Sequence, residues 1–214
     1  MLSLIIFDCD GVLFDSAAAN VAYYNAVLGR LGQQPLDAEW SRRAHFLSSH
    51  QLYDAMFGAG SALAAAARHV AGELDYTPFY PLMRPMPGLH RVLESLTAHY
   101  HLAMATNRSA TVVGVMRQFR LDRFVELAIG AHDVPRPKPH PDMIEKCLAH
   151  FRLRPPAAVY VGDSETDRAA ALAAGVHFVA VGGATPAEHR VRELSQLPAL
   201  LAQLADTVVS GSGE

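Results

Sequence analysis

Hydrophobic and polar positions along the chain follow two different periods. Runs in which nearly every residue is apolar, at about 2–7, 101–106, 125–129, 157–162 and 177–181, read as short buried strands. Between them, 87–98, 110–119, 141–151 and 167–174 carry apolar residues at helical spacing. Strand and helix alternating at this pitch predict an α/β fold, a parallel five-stranded sheet flanked by helices with right-handed crossovers.

The interval between the first and second strands breaks this pattern. It has no convincing strand and reads as helices over 16–31, 37–46, 49–57 and 61–74, punctuated by Gly32, Pro35, Gly58 and Gly60. Pro78, Pro81, Pro85 and Pro87 then lead the chain back to the sheet. The expected organisation is a core of residues 1–15 and 85–214 with a helical insertion at 16–84, tethered near Asp15 and Met83. The alanine run at 64–67 is helix propensity and nothing more.

Composition narrows the function classes. Of 214 residues 50% are apolar, enough for a proper core, and the net charge of −3 leaves no basic stripe for nucleic acid. No apolar stretch reaches membrane-spanning length, and the start of the chain has no basic leader. Cys9 and Cys147 stand far apart, which suggests no disulfide framework. A cytoplasmic protein acting without nucleic acid or membrane is expected, and the sequence is silent on oligomeric state.

The candidate chemistry lies at the strand ends, where parallel sheets place their functional groups. The first strand runs Leu4-Ile5-Ile6-Phe7 and stops at Asp8-Cys9-Asp10-Gly11. Residues two apart in an extended chain face the same way, so Asp8 and Asp10 aim at one point, where a cation or shared proton must separate them. A hard divalent metal bound through oxygen, most often Mg2+, suits such a pair. Cys9, between them, points the other way into packing. The second strand ends in Thr106-Asn107, and a proline-rich loop at 135–139 holds Lys138, one of only two lysines. The fourth ends in Gly162-Asp163-Ser164-Glu165-Thr166-Asp167. Carboxylates, a hydroxyl and a lysine are the parts that handle a phosphoryl group with magnesium.

These four motifs, in this order, resemble the haloacid dehalogenase-like superfamily, in particular its phosphatases with a helical cap, and the resemblance covers nearly the whole chain. It implies a Rossmann-like core with an inserted α-helical cap domain. It also implies that Asp8 is a nucleophile forming an aspartyl-phosphate, and that Asp10 is the general acid–base with a carboxyl pushed upward by its neighbours. Asp8, the Asp10 backbone carbonyl and Asp163 would bind Mg2+, with Asp167 in support. Thr106, Asn107 and Lys138 would hold the phosphoryl group.

Single residues have plainer readings. Ser109 reads as a helix cap, Asp142 as a helix-start acid, and Arg108 and Arg136 as exposed arginines. A dehalogenase would lack Asp10 and the Asp163/Asp167 pair, and a phosphonatase would need a lysine between 16 and 84, where none stands. A β-phosphoglucomutase-like mutase remains as the alternative, since Gly11-Val12 occurs there too, but its cap arginine has no counterpart near Ser48-Ser49-His50. A silent phosphate-binding regulator would lack Asp8, Asp10 or Lys138. The substrate is then a small phosphorylated metabolite, phosphoglycolate or a sugar phosphate, with His45, Ser49 and His50 as candidate contacts.

Overall fold

The computed structural model describes residues 1–44, 47–183 and 185–210, with the side chains of 205–210 left aside. The chain opens with β1 (Leu4–Phe7), β2 (Phe14–Asp15) and α1 (Ala17–Arg30), followed by α2 (Ala38–Arg43), α3 (Ser49–Phe57) and α4 (Ala62–Glu73). It continues with β3 (Arg84–Pro85), α5 (Leu89–Thr97), β4 (His101–Ala105), α6 (Val112–Gln118) and β5 (Leu127–Ile129). The last elements are α7 (Asp142–Phe151), β6 (Ala158–Gly162), α8 (Glu165–Ala174), β7 (His177–Val181), β8 (His189–Val191) and α9 (Leu197–Ser210). No helix among the described residues is long and apolar enough to cross a membrane.

The fold is the α/β sheet that the sequence predicts, but with six parallel strands, in the order β5-β4-β1-β6-β7-β8, where five are expected. The extra strand, β8, is an edge strand of three residues, His-Arg-Val, with too few apolar positions to show a period. Two further two-residue strands, β2 and β3, pair antiparallel (Phe14↔Pro85, Asp15↔Arg84) where no strand is expected. They too are shorter than any detectable period, and their pairing brings together the two points where the chain leaves and re-enters the sheet region.

β1 forms because Leu4, Ile5, Ile6 and Phe7 are fully buried on both faces, with β4 on one side and β6 on the other. Alternation sends Ile5, Phe7 and Cys9 into one apolar layer, shared with α5, α6 and α9. Leu4 and Ile6 enter the other, shared with α7 and α8. In α5 the spacing of Leu89, Val92, Leu93 and Leu96 puts all four on the sheet, each worth about 1.5–3 kcal/mol of burial. Strand order reverses around β1, so a crevice opens beyond its carboxyl end. The helices α1 to α4, from between β2 and β3, stand over that crevice, and Tyr23, Tyr24, Leu52 and Tyr53 continue the first apolar layer into them.

Candidate active site

Asp8 follows β1 directly and is 7% exposed. Its neighbour Cys9 is fully buried in packing, as expected, and burial pushes its thiol far up. Gly11 turns the chain with φ +80°, and a Cβ there would collide with the Asp163 carboxylate, so glycine lets the ends of β1 and β6 approach. Thr106 ends β4 and is buried, and Asn107 Nδ2 donates to the Lys138 carbonyl at 3.2 Å. The three strand ends and the Lys138 loop line one cavity of about 290 Å³.

Lys138 is 2% exposed and holds the centre together. Its Nζ lies 2.6 Å from Asp167 Oδ1, 2.8 Å from the Tyr160 hydroxyl and 2.9 Å from Asp8 Oδ1. The contact with Asp8 is an ion pair without hydrogen-bond angles, which leaves Asp8 Oδ1 with no aligned donor among the described residues. Asp167 is saturated. Its other oxygen accepts from the Ser164 hydroxyl (2.6 Å) and the Ser164 and Asp163 N–H groups (3.1 and 3.2 Å). Ser164 caps α8 in return, so one capping box both starts the helix and aims the acid at Lys138. The unexpected strand β8 braces the same loop. Arg190 donates to the Thr185 carbonyl at 2.6 Å, and the Thr185 hydroxyl donates to the Asp163 carbonyl at 2.6 Å.

Arg108 departs from its expected exposure: its side chain is only 5% exposed. Nε donates to Asp10 Oδ2 at 2.9 Å, and Nη2 to Asp10 Oδ1 at 2.6 Å and Asn20 Oδ1 at 3.0 Å. Ser16 and Asn20 also donate to Asp10, and Tyr76 donates to Asn20 while its ring lies 5.2 Å beneath the guanidinium. Burial pushes the Asp10 carboxyl up, but the Arg108 charge and these hydrogen bonds outweigh it and hold the carboxyl below its ordinary value. The expected upward shift of Asp10 is therefore reversed. An arginine beside a strand end carries no signal of its own. The informative feature is its place directly after Thr106-Asn107, across from a carboxylate pair.

The other two acids shift the opposite way. Burial, with Asp167 and Asp10 adding and Lys138 opposing, pushes Asp8 up to about 7. Burial, then the charges of Asp8 and Asp167, push Asp163 up to about 8. Oxygens of Asp8, Asp163 and Asp167 all lie within 4.8 Å of one another. Four carboxylates face two cations, Lys138 and Arg108, and when all are ionised two negative charges remain. An oxygen-only donor set with that excess, and an Asp8 oxygen lacking an aligned donor, fits one hard divalent cation such as Mg2+.

Of the residues singled out from sequence, Asp8, Asp10, Thr106, Asn107, Lys138 and Asp163 all line the cavity, as do Ser49 and His50. Asp167 stands behind them, fully buried. His45 lies outside the described residues. Ser109 makes no side-chain cap, and α6 has Thr111 in that place. Asp142 is in the first turn of α7, paired with exposed Arg136 at 2.8 Å, as expected. Beyond Arg108, sequence reasoning missed Tyr23, Tyr24, Tyr76 and Arg68, which form the wall opposite the strand ends.

Comparison with known proteins agrees with this geometry. A family model described as haloacid dehalogenase-like hydrolase matches residues 5–181. The chain belongs to that family. Among curated relatives of this hydrolase is a phosphoglycolate phosphatase of Pseudomonas putida, 30% identical over 217 residues, covering 95% of this chain and 80% of the relative. Another is the tyrosine-protein kinase PtkA of Mycobacterium tuberculosis, 30% identical over 182 residues, covering 84% of this chain and 62% of the relative. A solved hydrolase of the same superfamily, subfamily IA, from Geobacter sulfurreducens superposes with a TM-score of 0.74 at 36% identity, covering 94% of this chain and 96% of that one. The names of these relatives diverge, so the reaction has to be argued from the site.

Proposed function

We propose that this hydrolase is a magnesium-dependent phosphatase of small phosphomonoesters, working through an aspartyl-phosphate on Asp8. The observation that carries the reading is the Asp8 carboxylate itself. It stands at the end of the central strand, faces the cavity, and has Lys138 Nζ at 2.9 Å and the Asp163 carboxylate close by. When bound, the metal would be held by Asp8, Asp163 and the Asp10 backbone carbonyl, and would screen the repulsion between carboxylate and phosphoryl group. Lys138 neutralises charge on Asp8 and the phosphoryl oxygens, while the Thr106 hydroxyl and the Asn107 amide orient those oxygens. Asp8 attacks phosphorus and the ester oxygen departs with a proton from Asp10. Asp10 then takes a proton from the water that hydrolyses the aspartyl-phosphate.

Arg108 bears directly on those two halves. Its grip keeps Asp10 ionised, the form that accepts a proton from water. The acid half requires that pair to open. Helices α1 to α4 act as a cap over residues 1–15 and 85–214 in this reading, with the division at 16–84, and exclude bulk water during transfer. Gln51, at the start of α3, already reaches the Lys138 carbonyl at 3.4 Å. Phosphoglycolate heads the substrate candidates because relatives across most of this chain's length bear that name.

The test is phosphate release from a panel of small phosphomonoesters with magnesium, comparing the native protein with Asp8→Asn. The expected result is release that the substitution lowers by at least about 10³-fold while circular dichroism stays unchanged. Release that persists in Asp8→Asn overturns the nucleophile assignment. No release from any panel member, with a sugar phosphate instead isomerised when a bisphosphate activator is added, replaces the phosphatase by a mutase.

A further inference from the structure

Three cations line the cavity, and they differ in how fully they are engaged. Lys138 is 2% exposed and committed to Asp8, Asp167 and Tyr160. The Arg108 side chain is 5% exposed and spends Nε and Nη2 on Asp10 and Asn20. The Arg68 side chain, on α4, is 22% exposed. Among the described residues its one partner is Asp54 on α3, which accepts from Nη1 alone. A guanidinium has five N–H groups in a planar fork that matches a carboxylate or phosphate edge. Among the described residues Arg108 Nη1 has only the Thr111 hydroxyl at 3.5 Å, so Arg108 keeps little to spare, and Arg68 retains more unengaged donors than either of the other two cations.

Its position decides what those donors can meet. Arg68, Ala71 and Gly72 fall on one face of α4, and all three line the cavity. A side chain on Gly72 would meet nothing within 4 Å, so the wall beside Arg68 is open. The rest of that wall is aromatic and apolar (Tyr23, Tyr24, Tyr76, Leu47), and the Tyr23 hydroxyl is already bonded to the Ala71 carbonyl at 2.6 Å. We propose that Arg68 is the specificity-determining residue of this site and reads an anionic oxygen group, carboxylate or phosphate, at the end of the substrate remote from the transferred phosphoryl group. The proposal rests on the phosphatase reading above. Asp54 holds the guanidinium ready and shares it with the substrate anion. The substrate class is accordingly a phosphomonoester with a second anion, and ring or chain carbons lie along the tyrosines between the two.

Binding tests this apart from turnover. In the Asp8→Asn protein with magnesium, calorimetry compares 2-phosphoglycolate (carboxylate tail), glucose 1,6-bisphosphate (phosphate tail) and ethyl phosphate (neutral tail). The protein with Arg68 intact is expected to prefer one of the anionic tails, and which one names the source of the anion. Arg68→Met should lower that preference by about tenfold or more, Arg68→Lys by less, and Asp54→Asn should raise it by releasing the guanidinium. Equal weakening of all three probes by Arg68→Met and Asp54→Asn makes the pair a structural tie and overturns the proposal. So does the absence of any anionic preference with Arg68 intact, even where turnover of ethyl phosphate establishes a phosphatase. A clear preference with no phosphate release by the native protein leaves Arg68 as a reader of anions and overturns the phosphatase reading alone.

Discussion

The two walls of the cavity are built on different principles. The wall at the strand ends is a closed circuit: Lys138, Asp167, Tyr160 and Ser164 bind one another, and Arg108 locks Asp10 to Asn20. Apart from Asn20, which α1 lends to that circuit, the wall of α1 to α4 and the adjoining Tyr76 is a set of tyrosine rings in tilted and edge contacts, with one partly exposed ion pair, Arg68 to Asp54. The first fixes atoms where charge moves, since buried charges must be paired in tight geometry. The second supplies shape and apolar area, which tolerate substitution as long as volume is kept. On the proposed reading, chemistry is held rigid while recognition can vary.

The sharpest way to break this contrast is to delete a charge from each wall. Lys138→Met leaves the Asp8 and Asp167 carboxylates buried without their cation, and should cost about 3–5 kcal/mol of stability. Arg68→Met removes a pair whose members are 22% and 36% exposed, and should cost about 1 kcal/mol or less. Denaturant titrations of the two variants measure this directly. Comparable losses would show that the insert wall is as tightly wired as the core.

Metal and pH sharpen the same contrast, because only the strand-end wall has an excess of negative charge. Asp8 and Asp163 hold their protons up to about pH 7 and about pH 8 in the fold, against an ordinary value of 3.8. Between those limits the folded chain binds protons that the unfolded chain has released. The stabilisation is full below 3.8 and is lost as pH rises through about 7 and about 8. Magnesium needs both carboxylates ionised, so the rise in melting temperature it produces should grow across that window. Thermal melts with EDTA and with magnesium on either side of it check this. A magnesium shift that does not vary with pH would place the cation elsewhere.

The two walls were also unequally legible in the sequence. Asp8, Asp10, Thr106 and Asp163 could be found because each sits at the end of an apolar run, and the parallel sheet gathers such ends at one edge; Lys138 stood out as one of two lysines, in a proline-rich loop. Arg108 could not, since what buries it is a carboxylate 98 positions away. Its burial also reversed the direction expected for Asp10. Arg68 was hidden for a similar reason. The position that corresponds to a mutase's cap arginine lies near Ser48, whereas α4 delivers Arg68 into the same cavity. β8 escaped because three residues carry no period, though it braces the Asp163 loop through Arg190 and Thr185.

Two tyrosines give the finest version of the comparison. Tyr160 and Tyr53 are both fully buried, one on the central sheet and one on α3. The Tyr160 hydroxyl accepts from Lys138 at 2.8 Å and donates to the Ala105 carbonyl at 2.7 Å. Tyr160→Phe leaves both partners short of a bond, and should cost about 1–3 kcal/mol. The Tyr53 hydroxyl has no hydrogen-bond partner among the described residues. Burying it carries a desolvation cost that no bond offsets, so Tyr53→Phe should be neutral or stabilise by up to about 1 kcal/mol. Equilibrium unfolding of the two variants, otherwise identical in chemistry, separates a hydroxyl that belongs to a circuit from one carried by the packing of its ring. A loss for Tyr53→Phe equal to that for Tyr160→Phe would mean that the insert holds a polar network of its own.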